Sequence, residues 1–380
     1  MWHGEREAFN VLKKKVDPNA RYVWFHAASL GEFEQGRPLM ESLRKSHPEY
    51  KILLTFFSPS GYEVRKDYKG ADIICYLPLD TPINAIRFLR LIRPEVAFFI
   101  KYEFWWNYLH ILKHRHVPVY SVSSIFRPEQ VFFRWYGYQY RCVLRCFTHF
   151  FVQNETSRDL LAKLGLTNVT ITGDTRFDRV LQIKEQSKQL PVIDAFKKDY
   201  KVFVAGSSWS PDEDIFIKYF NKHQEWRLII APHVISEDHL KEILAKLNRK
   251  TVRYTEATVD NVKDAECLII DCFGLLSSIY HFGEVAYVGG GFGVGIHNVL
   301  EAAVWNMPVL FGPNNSRFQE AQGLLKSKGG FEITDYDSFE HIMNSLMTNP
   351  EFLEESGNKA GDFVKKMTGA TDIVLSQISL

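Results

Sequence analysis

The stretch Val285-Ala286-Tyr287-Val288-Gly289-Gly290-Gly291-Phe292-Gly293-Val294-Gly295-Ile296-His297-Asn298-Val299-Leu300-Glu301-Ala302-Ala303 decides the fold class. Four apolar, β-rich residues lead into five glycines, and a helical pattern opens at Ile296. Glycine lets the backbone turn tightly and approach a ligand without a Cβ clash, and helix N-termini offer N–H groups to anions. The strand–glycine–helix order therefore reads as a phosphate site of an α/β domain. The glycine spacing is not G-x-G-x-x-G, and no Lys-Ser/Thr follows Gly295, so neither the dinucleotide fingerprint nor the P-loop is present. Glu301, three residues beyond Asn298, falls on the same helical face and is placed to accept ribose hydroxyls. The competing reading is a glycine-rich turn before a solvated helix.

Outward from this stretch, short apolar runs alternate with amphipathic ones. The strand candidates are Tyr22–His26, Lys51–Phe57, Ile73–Tyr76, Val96–Ile100, Val117–Val122, Phe147–Val152 and Val169–Thr172, then Val202–Ala205, Arg227–Ala231, Cys267–Ile270, Val285–Val288 and Val309–Phe311. Helical patterns such as Glu34–Ser46, Ile83–Ile92 and Ser157–Leu164 lie between them. Buried strands alternating with helices imply parallel sheets covered on both faces. The alternation pauses over the polar segment Asp178–Lys198, which contains Pro191. Two doubly wound Rossmann-like domains, 1–180 and 181–380, are expected, facing across a cleft at the carboxyl ends of their strands.

The length of 380 residues suits two domains, and 46% hydrophobic with 24% charged residues is ordinary globular composition. A net charge of +1 gives no whole-chain reason to expect nucleic acid. The five cysteines lack zinc spacing and form no disulfide framework, so they read as reduced thiols, and no metal is expected. No apolar stretch approaches the ~20 residues that span a bilayer, and no signal peptide opens the chain.

Three further strand ends carry chemistry. Gly206-Ser207-Ser208 precedes a helix led by Pro211-Asp212-Glu213, a weak anion-site signal, and Pro232-His233 ends another strand. His233 is as well explained by structure as by ligand binding. Near the amino terminus, Ala27-Ala28-Ser29-Leu30-Gly31-Glu32 ends the first strand and puts Glu32 at the opening of a helix, where a catalytic acid or base is expected. Glu34 reads instead as an acidic residue favoured by the helix dipole. From Phe126 to Phe151, Arg127, Arg134, Arg141 and Arg145 interleave with aromatic residues, and Arg87–Arg93 adds three arginines on a helix. A basic amphipathic helix docking on an anionic membrane and a core helix with a solvated stripe fit this stretch equally well.

Taken in order, His26-Ala27-Ala28-Ser29-Leu30-Gly31-Glu32, Leu79-Asp80-Thr81-Pro82, Glu103-Phe104-Trp105, Gly173-Asp174-Thr175-Arg176-Phe177-Asp178, Gly295-Ile296-His297-Asn298-Val299-Leu300-Glu301 and Phe311-Gly312-Pro313 resemble the 3-deoxy-D-manno-octulosonic acid (Kdo) transferases of Gram-negative bacteria. The resemblance spans nearly the whole chain. It implies a GT-B fold and an inverting, metal-independent enzyme without a cofactor, moving Kdo from CMP-Kdo to a lipid A precursor at the cytoplasmic face of the inner membrane. It implies an acceptor-binding domain over 1–180 and a nucleotide-sugar domain over 181–380, whose last helix can pack back on the first.

Residue by residue, Glu32 matches the general base. Asn298 and Glu301 match the phosphate and ribose ligands, with Gly206, Ser207, Pro232, His233, Gly295 and His297 around the nucleotide. Lys101, Arg127 and Arg176, each just past a predicted strand, are the candidates for the donor carboxylate or acceptor phosphates; solvated surface charge explains them equally well. Lys101 stands where the family commonly has an acid, Arg176 replaces a frequent Lys, and the segment after Gly206-Ser207 lacks the usual His-Pro character. The family usually begins with a hydrophobic anchor that this sequence lacks, so the chain is either trimmed or attaches differently. Alternatives are another GT-B transferase or UDP-sugar epimerase, and an inactive nucleotide- or lipid-binding protein.

Overall fold

The computed structural model describes residues 2–380, with side chains from residue 7 onward. It holds two seven-stranded sheets, parallel throughout. The first contains β1 (Arg21–His26), β2 (Tyr50–Phe56), β3 (Ile73–Tyr76), β4 (Pro94–Ile100), β5 (Val119–Ser124), β6 (His149–Val152) and β7 (Val169–Ile171) in the order β3-β2-β1-β4-β5-β6-β7. The second contains β8 (Val202–Ser208), β9 (Arg227–Pro232), β10 (Thr251–Arg253), β11 (Cys267–Ile269), β12 (Val285–Val288), β13 (Val309–Phe311) and β14 (Gly330–Glu332) in the order β10-β11-β9-β8-β12-β13-β14. The winding reverses at β1/β4 in one sheet and at β8/β12 in the other. Open α/β sheets leave a crevice at the carboxyl ends of such strands.

Contacts divide the chain into one unit of Met1–Arg179 with Met367–Leu380 and another of Val180–Lys366. In the first, the two-residue period of β1 places Tyr22 and Trp24 in one buried cluster and Val23 and Phe25 in another, one on each face. Both faces are dry because helices cover both. The helix Leu30–Ser46 starts at Ser29 with a capping box closed by Glu32. It lies so near β4 that a Cβ on Gly36 would come within 3.1 Å of Ile100. In the second unit one cluster joins Phe203, Leu228, Ile230, Tyr287 and Leu310 to Phe216, Phe220 and Phe339 of the covering helices.

The carboxyl-terminal helix Ala370–Gln377 packs in the first unit, where Val374 joins the cluster of Val23 and Phe25. The Asp178 carboxylate holds its start, accepting from Gly369 N–H (2.7 Å), Thr371 N–H (2.7 Å) and the Thr371 hydroxyl (2.6 Å).

The polar segment from 178 to 198, where the alternation pauses, holds no strand and carries the helices Arg176–Glu185 and Pro191–Lys197. Three expectations are corrected. Strands β10 and β14 escaped the reading. The helix expected from Ile296 is only Leu300–Ala303, because the chain from Gly289 to Asn298 folds back on itself. The stretch 126–151 is not an amphipathic helix but 3₁₀ turns at Val131–Phe133 and Trp135–Tyr140, a short helix Arg141–Leu144 and the strand β6. Gly137 sits so close beneath Val131 that a Cβ would lie 1.6 Å from its carbonyl oxygen, so no regular helix fits there.

Candidate active site

In the first unit the switch point between β1 and β4 gathers three ionisable groups. His26, fully buried at the end of β1, has Nδ1 2.9 Å from Thr55 Oγ1 and Nε2 3.1 Å from Glu103 Oε2. Trp105 Nε1–H donates to the same Glu103 oxygen at 2.6 Å. Burial raises the Glu103 carboxyl, but the His26 and Trp105 contacts outweigh it and hold it below its ordinary value. Glu32 moves the other way. Burial and the Glu103 charge raise it above the usual carboxylate range, against the Ala28 N–H, His26 and Lys101. Its Oε2 accepts from Ala28 N–H (2.7 Å) and Ser29 N–H (3.2 Å). Two neighbouring carboxylates pushed in opposite directions make one of them a proton acceptor of increased basicity. Glu34, read as a helix-dipole residue, is instead an anchor for Arg65 and Arg179, each at 2.8 Å.

Lys101, Arg127 and Arg176 converge on Tyr102. The Lys101 ammonium lies 5.4 Å and the Arg127 guanidinium 5.9 Å from its ring centroid. Burial raises the Tyr102 phenol while Arg127 and Arg176 oppose the rise. Arg176 is also paired with buried Asp174 at 2.8 Å, so part of its charge is already balanced. Lys101 (φ 67°), Ser123 (φ 52°) and Ser207 (φ 53°) are non-glycine residues in the left-handed region, all at carboxyl ends of strands. Such strain persists only where the surroundings enforce it, and it gathers at functional sites.

In the second unit the glycine run, expected as an anion loop, is a packing device. Gly289 N–H donates to Gly206 O, Gly290 N–H to the Asp212 carboxylate, Gly293 and Gly295 N–H to Gly290 O, and His297 N–H to Gly289 O. These five donors are spent inside the protein. A Cβ on Gly291 would stand 2.5 Å from Gly312 Cα, one on Gly289 2.3 Å from Ser207 O, and one on Gly295 2.8 Å from the Phe318 ring. A helix of four residues carries little macrodipole, so the expected phosphate site at a helix start loses that support. Asn298 precedes the helix instead of lying on it. Its Nδ2–H donates to Glu301 Oε1 at 3.0 Å, and its Oδ1 accepts from Leu300 N–H at 3.2 Å.

Gly206 joins these groups to β8. A side chain there would meet Tyr280 Oη at 2.0 Å, and the buried Tyr280 phenol is raised by burial and by Glu301. Gly206, Ser207, Asn298, Glu301 and Tyr280 thus surround one strand end. His233, past Pro232 of β9, stacks on His297 with centroids 4.4 Å apart, and Trp209 stacks on His233 at 4.7 Å. Beside them a cavity of about 220 Å³ is lined by Trp209, Pro211, Asp212, Gly290, Phe292 and Val294, among others. The buried Asp212 carboxyl, raised by burial, is held by Gly290 N–H (3.0 Å), Trp209 N–H (2.9 Å) and Tyr287 OH (2.7 Å).

Residues 3–179 match the family model described as 3-deoxy-D-manno-octulosonic-acid transferase (kdotransferase). The curated 3-deoxy-D-manno-octulosonic acid transferase of Aquifex aeolicus is 27% identical over 358 residues, covering 91% of this chain and 92% of its own. That of Haemophilus influenzae is 25% identical over 376 residues, covering 94% and 86%. The chain is thus similar to Kdo transferases, by the family model over residues 3–179 and by these relatives over more than nine-tenths of its length. This transferase is accordingly a glycosyltransferase, and its fold is GT-B. Among solved structures, UDP-GlcNAc 2-epimerase from Neisseria meningitidis superposes with a TM-score of 0.64 over 93% of this chain and 98% of its own at 14% identity. Acinetobacter baumannii MurG does so at 0.57 over 94% and 100% at 11% identity. These two likenesses concern the fold alone.

Sequence reasoning gave this transferase's Glu103, His26, Trp209, Tyr280 and Asp212 no role. Glu103 and His26 were visible inside family motifs, but their effect on Glu32 depends on strands β1 and β4 being neighbours. Trp209 and Tyr280 had no signal in the one-dimensional pattern. Among the described residues no group of three His, Cys, Asp or Glu is placed to hold a metal, and no helix is long and apolar enough to cross a membrane.

Proposed function

We propose that this chain is an inverting, metal-independent transferase that moves Kdo from CMP-Kdo to a lipid A precursor. The observation that carries the reading is Glu32, a carboxylate made more basic by burial and by Glu103 at the first sheet's switch point. Ionised Glu32 takes the proton of the acceptor hydroxyl as that oxygen attacks the anomeric carbon of Kdo. The bond from that carbon to the phosphate oxygen breaks, and CMP leaves with the electron pair. One displacement without a covalent sugar intermediate inverts the centre. A positioned base contributes about 10²–10⁴-fold, so stabilising the departing phosphate matters as much.

In this reading 1–180 is the acceptor-binding domain, joined by the last helix, and the rest of 181–380 is the donor domain. Gly206, Ser207, Pro232, His233, Gly295, His297, Asn298 and Glu301 line the nucleotide site, with Glu301 toward the ribose. Lys101 and Arg127, with Arg176 partly neutralised by Asp174, meet the donor's carboxylate or the acceptor's phosphates. The acceptor is a lipid, and the protein works at the cytoplasmic face of the bacterial inner membrane. Supporting an anionic membrane partner, the turn Trp135–Tyr140 carries Trp135 (89% exposed), Tyr136, Tyr138 and Tyr140 outward beside Arg134 and Arg141.

The test is release of CMP from CMP-Kdo in the presence of a lipid A precursor. Release that needs both substrates is expected, and Glu32→Ala should abolish it while CMP still binds. Near-normal turnover of that variant would remove Glu32 from the mechanism; protection by UDP and not by CMP would replace the donor.

A further inference from the structure

Trp209 is tied by two contacts to two residues proposed to line the nucleotide site, which also stack on each other. Its indole stacks on His233 (4.7 Å between centroids, 25° between planes), and His233 stacks on His297 (4.4 Å, 26°). Its Nε1–H also donates to His297 Nε2 at 3.3 Å. A straight column of three rings with spacings of 4.7 and 4.4 Å would set the outer two about 9 Å apart. The N–H···N bond instead puts Trp209 and His297 side by side, with His233 laid over both. The backbone holds all three in place: Trp209 N–H on Asp212 (2.9 Å), His233 N–H on Ser208 O (2.9 Å) and His297 N–H on Gly289 O (3.1 Å).

An indole N–H can only donate, so His297 Nε2 must present its lone pair. A neutral imidazole then carries its proton on Nδ1. A second proton would set an N–H at Nε2 against the indole N–H. Burial and the neighbouring His233 also lower the His297 imidazole from its ordinary value. Among the described residues Nδ1 has no hydrogen-bond partner.

We propose that Trp209 is a positioning residue that locks His297 as the neutral Nδ1–H tautomer, so that the donor site offers a fixed hydrogen-bond donor to an oxygen of the nucleotide. This deepens the donor reading above and rests on it only for what the Nδ1–H meets; the tautomer belongs to the chain alone.

The experiment is long-range ¹H–¹⁵N NMR on the full chain labelled at histidine, with His297 assigned by its loss in His297→Gln, together with CMP titrations. Wild type should show Nδ1–H at His297. Trp209→Phe keeps an aromatic ring and removes the N–H, so Nε2–H should appear and CMP should bind about threefold to tenfold more weakly, the range of one neutral hydrogen bond. In a His297→Gln background the same substitution should cost no further affinity. Nε2–H in wild type, or an unchanged tautomer in Trp209→Phe, overturns the lock. A changed tautomer with unchanged CMP affinity overturns its role in the site. If wild type does not bind CMP, the donor reading fails while the tautomer result stands by itself.

Discussion

Glu32 has its proton affinity raised by burial and then by Glu103, which follows β4 and meets His26 of β1 across 77 positions of chain. Replacing Glu103 with Gln removes the like charge that raises Glu32 but keeps an oxygen for His26 and Trp105. The acid limb of kcat/KM is expected to move to lower pH in Glu103→Gln; an unmoved limb would detach Glu103 from the base. Stability carries the same signature. The folded-state carboxyl of Glu32 lies above its unfolded value, so the folded chain binds the proton more tightly and loses stability as pH rises from the unfolded value, about 4, through the folded one. Glu32→Gln escapes that loss while still accepting from Ala28 N–H. Its Tm should exceed wild type at pH 8, and the gap should close near pH 4; a gap independent of pH would refute the assignment. At this scale the sequence made Glu32 legible because strand, turn and cap are local. Glu103 was not, since its influence needs a partner brought in by topology.

At the scale of elements, the glycine loop is specified by close crossings. Gly291 lies against Gly312 with no room for a methyl group, whereas a Cβ on exposed Gly293 would meet only Gly290 O at 3.6 Å. Gly291→Ala should cost about 1–3 kcal/mol of stability, as overpacking does, and Gly293→Ala should stay within about 0.5 kcal/mol; urea midpoints distinguish the two. A loop built for phosphate alone would show no such difference. Twelve strands were readable as apolar runs because both sheet faces are buried. The edge strands β10 (Thr-Val-Arg) and β14 (Gly-Phe-Glu) were not, because each carries a single strongly apolar residue and so makes no apolar run. The helix start at Ile296 was misread because the pattern Ile296–Ala303 is helical in composition, but the Leu300 N–H that a helix would turn to Ile296 O goes to Asn298 Oδ1 instead.

On the scale of the whole molecule, the aromatic and basic stretch 126–151 divides its rings between two environments. Phe126, Phe132 and Phe147 pack inward, while Trp135, Tyr136, Tyr138 and Tyr140 face out. Composition could not separate these sets, since a 3₁₀ turn has no 3.6-residue period to read. Docking on vesicles of anionic phospholipid at low salt is expected, weakening by about tenfold or more in the double variant Trp135→Ser, Tyr138→Ser. CMP affinity and Tm should not change with it. Equal sedimentation of variant and wild type with vesicles would assign the turn elsewhere.

The grip of Asp178 on Gly369 and Thr371 has a consequence in time. Because the last helix is part of the first unit's core, that core is not fully covered until the chain through Gln377 has been made, although all seven strands of the first sheet precede residue 172. The unit Val180–Lys366 is a guest within the host's chain, translated whole while the host waits. At about 5–20 residues per second that wait lasts roughly ten to forty seconds. The unit Val180–Lys366 can therefore close on the ribosome before the unit that bears Glu32 receives its covering helix Ala370–Gln377.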